Sequence, residues 1–280
     1  MIKVAIGDIE TNGLINQPSI ENQQWALDYR ASLGIKGKKK KIMTNSTKVH
    51  CAVLNVLDHG WFLLVPDEFI DDVKSDKRFK DVGKVLSIKQ LPDLLDKIDQ
   101  LVGHNFAKFD VPALELLMDY SYKGEVTDTY SMSKTLWADR DKDGNGWTGH
   151  GLAAWGEYFG IPKPEYEQWE EFDLDMLWRC YQDVIINTKT YSHLQQEAKG
   201  WDWKPALDLE NNISMHIGKQ ETIGMPFDID QAKLYIDQWS DRINEIYKIL
   251  RPQLCMEMED AVGNSKLDIW EVKHPTDIAG

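Results

Sequence analysis

The sequence predicts an α/β fold in which a mixed β-sheet is flanked by helices and followed by a C-terminal helical hairpin. Apolar segments rich in β-branched residues, typical of strands, occupy residues 1–14 and 47–66. Helical periods take over after residue 90. Strands followed by helices are typical of a sheet with helices packed on it, so the order of these patterns gives the fold class.

The strand-like part contains one strand, an insertion and a hairpin. The first strand ends in a turn at Asn12 and Gly13. Residues 47–66 predict two antiparallel strands around a turn at residues 58–60. The polar residues 15–46 between them are interpreted as an insertion carried on the sheet, with a basic run that is either a solvated loop or a DNA contact. The run contains Lys36, Lys38, Lys39, Lys40 and Lys41.

Apolar residues recur every three or four positions in the rest of the chain, which predicts helices. The predicted helices cover residues 91–98, 112–120, 149–160, 171–197, 201–222 and 228–250. Gly224 is expected to end the fifth helix and Asp228 to cap the sixth. A short strand-like segment follows at residues 267–272. We therefore predict two domains, residues 1–197 and a helical segment at 198–280.

Composition excludes some classes of protein. The chain of 280 residues has no run of about 20 apolar residues and no signal-peptide pattern at its start, which predicts a cytoplasmic protein without a membrane contact. Its three cysteines are far apart, so they are expected to be reduced and buried. The net charge of −14 argues against non-specific nucleic-acid binding, but bound metal ions and a local basic run can offset it.

Asp8 and Glu10 stand two residues apart at the end of the first strand. Side chains at i and i+2 of a strand point to the same face, so the two carboxylates share one face. Carboxylate oxygens are the ligands that Mg²⁺ prefers. Alone, such a pair is also compatible with two solvated acids at a strand end.

Two more acids occur in distinctive contexts. Asp110 ends the segment that begins at His104 and stands two residues before Pro112, where it would also serve as a helix cap. Asp183 lies late in a predicted helix, where a single Asp is ordinarily a surface residue. The first motif contains Asp8 and Glu10, the second contains Asp110 and the third contains Asp183. The order and content of these three motifs give the acids a further interpretation.

The motifs resemble those of the 3′-5′ exonucleases that have an RNase H-like fold and four metal-binding acids, the DEDD superfamily. More narrowly, the chain resembles the proofreading domain of bacteriophage family A DNA polymerases, through the segments at 47–53, 150–156 and 183–189. The segment at 219–228 resembles the start of the polymerase region in that family. Because the polymerase acids would lie beyond residue 280, the resemblance implies a polymerase subunit supplied in trans, or a fragment.

The resemblance implies a site that holds two divalent ions, Mg²⁺ or Mn²⁺, and hydrolyses single-stranded or frayed 3′ DNA ends. It assigns the metal ions to Asp8, Glu10, Asp110 and Asp183. Contacts with the substrate are expected from six further side chains, of which the two apolar ones, at positions 14 and 106, are alternatively core residues. The six are Thr11, Leu14, Asn105, Phe106, Phe109 and Arg179.

One residue departs from the family pattern. The family usually has a Tyr four residues before the third-motif Asp, and here that position is Arg179. Tyr181 is expected to point away from the site, because two residues correspond to about 200° around a helix. Three alternatives follow: Arg179 contacts the scissile phosphate, a Tyr or His from another segment orients the water, or hydrolysis is slow.

Three functions follow as hypotheses. The first is a proofreading exonuclease that serves a polymerase in trans, the second a weakly active exonuclease-fold scaffold for that polymerase, and the third a stand-alone 3′-5′ nuclease. A separate signal at residues 139–144 matches the opening of a calcium loop, but His150 stands where the loop needs a bidentate Glu. A solvated loop is the favoured interpretation there, with His150 structural.

Overall fold

The computed structural model describes residues 3–15, 17, 19–32, 45–140, 149–224 and 227–262. It divides into two compact units, one formed by Met1–Gln17 with Met43–Gly224 and the other by Pro18–Ile42 with Met225–Gly280. The lysine run at 36–41, most of the calcium-like loop and the strand-like segment at 267–272 lie outside the described residues. Among the described residues, no helix combines the length and apolar character that a membrane span requires.

The first unit is built on a six-stranded mixed sheet. Its strands are β1 (Val4–Thr11), β2 (Val49–Val56), β3 (Gly60–Val65), β4 (Gly83–Ser87), β5 (Gln100–Gly103) and β6 (Glu125–Asp128). They follow the order β4-β3-β2-β1-β5-β6, with β2 antiparallel to both of its neighbours and the other pairs parallel. The sheet with its flanking helices confirms the predicted α/β class and is consistent with an RNase H-like fold.

Helices of the first unit pack on both faces of this sheet, and two further described helices belong to the second unit. The helices are α1 (Ile20–Ser32), α2 (Ile70–Ser75), α3 (Leu91–Leu95), α4 (Asp110–Met118), α5 (Thr129–Leu136), α6 (Leu152–Phe159), α7 (Leu174–Glu197), α8 (Lys204–Ile223) and α9 (Ile229–Val262). Both predicted C-terminal helices, α8 and α9, are therefore present. Contacts group α8 with the sheet, whereas α9 belongs to the second unit.

Alternation along β1 sends its side chains into two different cores. Ala5 and Ile9 pack with α3 and α4 on one face of the sheet. Ile6 packs on the opposite face with α7, whose Met176 and Val184 are fully buried. Since side chains two residues apart share a face, Asp8 and Glu10 lie on the face covered by α7. The strand therefore brings two carboxylates against a long helix.

The second unit contains α1, which the insertion contributes, and α9. Tyr29 and Ser240 hydrogen bond through their hydroxyls at 3.3 Å. The Lys233 ammonium donates to the amide oxygen of Asn22 at 3.2 Å and lies 5.3 Å from the ring centre of Trp25. The polar insertion thus forms a helix that is tied to α9 by side-chain contacts.

Candidate metal centre

Asp8, Glu10 and Asp183 form a compact group of carboxylates in the first unit. The two acids of β1 face α7, and one ligand oxygen from each of the three side chains lies within 4.8 Å of the others. Cys180, one turn before Asp183, donates from its thiol to the backbone carbonyl of Asp8 at 3.5 Å. Packing of α7 on β1 therefore places the third-motif acid against the first motif.

Asp110 lies next to β1, although it is not among the three acids whose ligand oxygens lie within 4.8 Å of one another. It begins α4 and is 4% exposed. Its carboxylate accepts a hydrogen bond at 3.2 Å from the backbone N–H of Ile9, the residue between Asp8 and Glu10. The four acids named by the sequence motifs are thus brought together at one strand.

Burial disfavours the ionised form of these carboxylates unless a cation is bound nearby. It raises the pKa of Asp8 to about 7, with a further contribution from Asp183. Burial followed by the charge of Asp8 raises the pKa of both Glu10 and Asp110. The pKa of Asp183 is also raised by burial, although Lys163 and Arg179 act in the opposite direction. A bound cation would relieve the repulsion and desolvation that cause these shifts.

The donor set fits a hard divalent ion. The Oδ1 atom of Asp183 is buried and has no hydrogen-bond partner among the described residues, an arrangement that a folded protein rarely leaves without a ligand. Mg²⁺ and Mn²⁺ prefer carboxylate oxygens, and the group offers no softer donor. The residues present therefore suit the ions that the sequence resemblance implies.

Arg179 lies at this centre, at the position where the sequence resemblance leads us to expect a Tyr. Its Nε atom is 3.5 Å from a carboxylate oxygen of Glu10, and its Nη1 group donates to the Pro164 carbonyl at 2.8 Å. The guanidinium carbon lies 5.1 Å from the ring centre of Trp169. The side chain is therefore fixed on three sides with its charge directed at the acids.

Tyr181 points away from the acids, as the helical spacing predicts. Its ring packs edge-on against Trp61 at a centroid distance of 5.0 Å and contacts Phe79 and Trp178. These residues belong to the core on the α7 face of the sheet. Tyr181 therefore does not replace the missing family Tyr.

The loop before Asp110 is held by Asp128. Its carboxylate accepts backbone hydrogen bonds from Asn105 at 2.9 Å and Ala107 at 3.1 Å. Asn105 has a left-handed backbone with a φ of 59° and an exposed side chain. Phe106 is 1% exposed and packs in the core, so of the two alternatives for this residue the structure supports the core residue. Phe109, half-buried, is the residue that precedes α4.

The remaining predicted contacts are the last residue of β1 and a residue of the turn that follows it. The Thr11 side chain is buried, and its hydroxyl donates to the Gly13 carbonyl at 2.6 Å. Leu14 is 43% exposed and forms a bridge with Asn45. The exposed Leu14 is available for contact with a ligand, whereas Thr11 stabilises the turn.

Lys163 is the residue at this site that the sequence motifs do not identify. Its ammonium group donates to the Oδ2 atom of Asp183 at 2.5 Å. The signal that could have found it is the Pro162-Lys163-Pro164 sequence, because two prolines restrict the backbone on either side of one lysine. From the sequence alone, we expect Lys163 only to lie in the linker between the predicted helices at 149–160 and 171–197.

Comparison with known proteins gives no family. No family model and no curated protein matches the chain. The solved structure of NrnC from Brucella melitensis has 14% identity and a TM-score of 0.47, and the match covers 81% of this chain and 90% of that chain. The apo form of a nuclease has 14% identity and a TM-score of 0.49, covering 81% and 88%.

A second structure of Brucella melitensis NrnC, with bound Mg²⁺, has 14% identity and a TM-score of 0.41, covering 85% of this chain and 88% of that chain. Similarity at this level assigns neither an activity nor a substrate to this chain. Its function has to be argued from its own residues.

Proposed function

We propose that this chain is a metal-dependent 3′-5′ exonuclease that removes nucleotides from single-stranded or frayed 3′ DNA ends and proofreads for a polymerase supplied in trans. The observation that carries the proposal is the group formed by Asp8, Glu10 and Asp183, with ligand oxygens within 4.8 Å of one another. The specificity for DNA, the direction and the polymerase partner are supported by the sequence resemblance.

The four acids would hold the metal. Asp8, Glu10 and Asp183 would supply oxygens directly, and Asp110 would support them through its hydrogen bond with the backbone of β1. Two ions is the number that the resemblance implies. A divalent ion bound here supplies positive charge that polarises the phosphate and lowers the pKa of the attacking water.

The reaction is a hydrolysis that needs no further reactant. A bond forms between the water oxygen and the terminal phosphorus, and the bond from phosphorus to the 3′ oxygen of the preceding nucleotide breaks. A proton from the water ends on that 3′ oxygen. The products are a nucleoside 5′-monophosphate and a strand that is shorter by one nucleotide.

Arg179 is assigned to the scissile phosphate. Its guanidinium is held between Glu10, Pro164 and Trp169, so little side-chain freedom remains to be lost on binding. A planar, permanently charged group suits the oxygens of a phosphate. We assign the exposed Leu14 to contact with the terminal base. Asn105 and Phe109 are assigned to positioning the loop that carries Asp110.

The other parts of the proposal rest on sequence alone. The lysine run at 36–41 is assigned to contact with the DNA backbone, whose charge attracts such a segment. A cytoplasmic location, in the host cell if the chain is phage-encoded, follows from the resemblance. The resemblance assigns the helical segment at 198–280 to the start of a polymerase region, although α8 within that segment belongs to the first unit.

An inactive or weakly active scaffold is the second candidate. The observation that favours it is the pairing of two acids with the protein's own cations, Glu10 with Arg179 and Asp183 with Lys163. Such pairs would reduce the attraction of the site for a metal ion. The enzyme is favoured by the buried Oδ1 atom of Asp183, for which the described residues provide no hydrogen-bond partner.

The test is degradation of 5′-labelled single-stranded DNA and RNA in Mg²⁺ or Mn²⁺, with and without a candidate polymerase subunit. Asp8→Ala should abolish the release of nucleoside 5′-monophosphates, whereas the matched control Asp71→Ala, at a side chain 97% exposed, should leave it unchanged. Hydrolysis only with the subunit supports a divided polymerase. Equal cleavage of DNA and RNA without it favours the stand-alone nuclease.

If wild type releases no more product than Asp8→Ala under every condition, the enzyme proposal is wrong. The scaffold then remains as the explanation of the fold. Binding of the polymerase subunit by the same Asp8→Ala protein would support it.

A further inference from the structure

Lys163 lies on the segment that joins α6 to α7, residues 160–173, and its charge reaches the centre of the acid group. Its ammonium is 2.5 Å from Asp183, and the two side chains are 23% and 5% exposed. The same charge acts on Asp8 and Glu10, where it favours the ionised forms. The positive charge of Lys163 therefore acts on three of the four acids.

The backbone around Lys163 is fixed on both sides. Pro162 and Pro164 restrict the backbone angles of the segment. On one side, the Ile161 N–H donates to the Gly156 carbonyl at 2.8 Å. On the other, the Pro164 carbonyl accepts from Arg179 at 2.8 Å. A lysine that only served as a solvated surface charge would not require such anchoring.

A divalent ion and Lys163 would bind the same carboxylate. Asp183 presents Oδ2 to the lysine, and its buried Oδ1 has no hydrogen-bond partner within the described part of the chain. A bound ion takes much of the negative charge of Asp183, and the ammonium then favours another anion. The lysine is partly exposed, so an incoming phosphate can reach it. Lysine binds phosphate oxygens as a compact point charge.

We propose that Lys163 is a substrate-binding residue that contacts a non-bridging oxygen of the scissile phosphate, and that Asp183 holds its ammonium in position before the substrate binds. This inference rests on the proposed nuclease function. It places one cation beside Asp183 and a second, Arg179, beside Glu10. The phosphate would therefore meet positive charge from two separate segments of the chain.

The test compares Lys163→Gln with Lys163→Arg and with the matched control Lys189→Gln, which removes an exposed charge from α7. At saturating Mg²⁺, Lys163→Gln should lower kcat/KM at least about tenfold, as expected for loss of a charged hydrogen bond. Lys163→Arg should recover part of the loss, and Lys189→Gln should match wild type. Thermal unfolding in EDTA identifies any variant that fails to fold.

Two binding measurements separate a phosphate contact from a counterion. Lys163→Gln should bind Mn²⁺ at least as tightly as wild type, because a competing cation is gone. In Ca²⁺, deoxyadenosine 5′-monophosphate should bind Lys163→Gln at least about fivefold more weakly than wild type. Deoxyadenosine, which lacks the phosphate, should bind both proteins equally.

Three results would overturn the inference: unchanged kcat/KM and nucleotide affinity at saturating Mg²⁺, weakened Mn²⁺ binding that accounts for the whole loss of rate, or an equal loss of affinity for deoxyadenosine. If wild type hydrolyses no DNA, the nuclease proposal fails separately. The nucleotide titration then still decides whether Lys163 binds phosphate.

Discussion

At the scale of single residues, the structure explains why four acids distant in sequence form one candidate site. Asp8 and Glu10 share a face because β1 alternates, and Asp110 is tied to the residue between them. Asp183 arrives through the packing of α7. Their raised pKa values express the cost of bringing these charges together without a metal ion.

The raised pKa of Asp8 predicts how Asp8→Asn changes the free energy of unfolding in EDTA. The fold raises the pKa of Asp8 from 3.8 to about 7, so between these pH values the native state holds more protons than the unfolded chain. This group therefore lowers the free energy of unfolding as pH rises. Asn cannot ionise, and the variant should be more stable than wild type by at least about 1 kcal/mol at pH 8.

The difference between the two proteins should disappear towards pH 4, where both carry an uncharged side chain. Saturating Mg²⁺ should reverse the order at pH 8, because only wild type gains from binding the ion. Urea unfolding at the two pH values measures both effects. An equal difference at pH 4 and pH 8 would contradict the assigned burial of charge.

The sequence identifies the four acids and Arg179, but not Lys163, the cation that contacts Asp183. Alternation and motif order are local properties, so they are visible in the chain itself. Lys163 reaches Asp183 only because the turn after α6 packs where it does. A tertiary contact of this kind leaves no periodic signal, and a lysine between two prolines reads as a linker.

At the scale of elements, Asp128 holds two parts of the site region together. Besides Asn105 and Ala107, its carboxylate accepts the N–H groups of Tyr130 and Ser131 at the start of α5. Asp128→Ala should lower the free energy of unfolding by at least about 2 kcal/mol, since a helix cap and loop hydrogen bonds are lost together. Urea unfolding measures the loss.

Asp128→Asn keeps an acceptor oxygen and should lose less stability than the alanine variant. Asp81→Ala, at an exposed position on the same unit, serves as the control. The rate of hydrolysis should fall with Asp128→Ala because the loop that carries Asp110 loses its anchor. A rate and a stability equal to those of wild type would show that other contacts fix the loop.

Gly156 in α6 allows the close approach of the segment that carries Lys163. A Cβ atom at this position would lie 2.5 Å from the Ile161 carbonyl oxygen. Gly156→Ala should therefore destabilise the protein by about 1 to 3 kcal/mol and lower the rate. The control is Gly151→Ala, where a Cβ atom meets nothing within 4 Å. Equal unfolding midpoints for both variants would contradict this packing.

Long elements are predicted better than short ones. The hairpin of β2 and β3 and the helices α6 to α9 follow from periodic patterns, and Gly224 and Asp228 mark helix ends as expected. The strands β5 and β6 have only four residues each, too few for a pattern. The insertion contains α1, whose residues are mostly polar and give little amphipathic signal.

At the scale of the whole molecule, α8 is a structural part of the first unit. Asn211 accepts the backbone N–H of Asp128 at 3.1 Å, and Ser214 hydrogen bonds to Ser131 at 2.8 Å. A Cβ atom on Gly218 would lie 2.6 Å from the Ala107 carbonyl oxygen. The helix therefore supports the same loop and cap as Asp128.

We predict that a chain ending at residue 224 keeps the site intact, whereas a chain ending at residue 199 unfolds at a lower temperature and hydrolyses more slowly. The shorter chain loses the hydrogen bonds and the packing that α8 provides, and each lost hydrogen bond costs about 0.5 to 1.5 kcal/mol. Thermal unfolding and rates of both truncated proteins provide the measurement. Equal values would show that α8 is dispensable to this unit.

The most direct test of the central claim is the time course of a 5′-labelled single-stranded DNA in Mg²⁺ with wild type and Asp183→Asn. Our account predicts that wild type shortens the strand one nucleotide at a time from its 3′ end, releases nucleoside 5′-monophosphates and stops in EDTA. Asp183→Asn should neither shorten the strand nor release nucleoside 5′-monophosphates. Equal degradation by both proteins, or degradation by wild type that persists in EDTA, would contradict a metal-dependent site built on these acids.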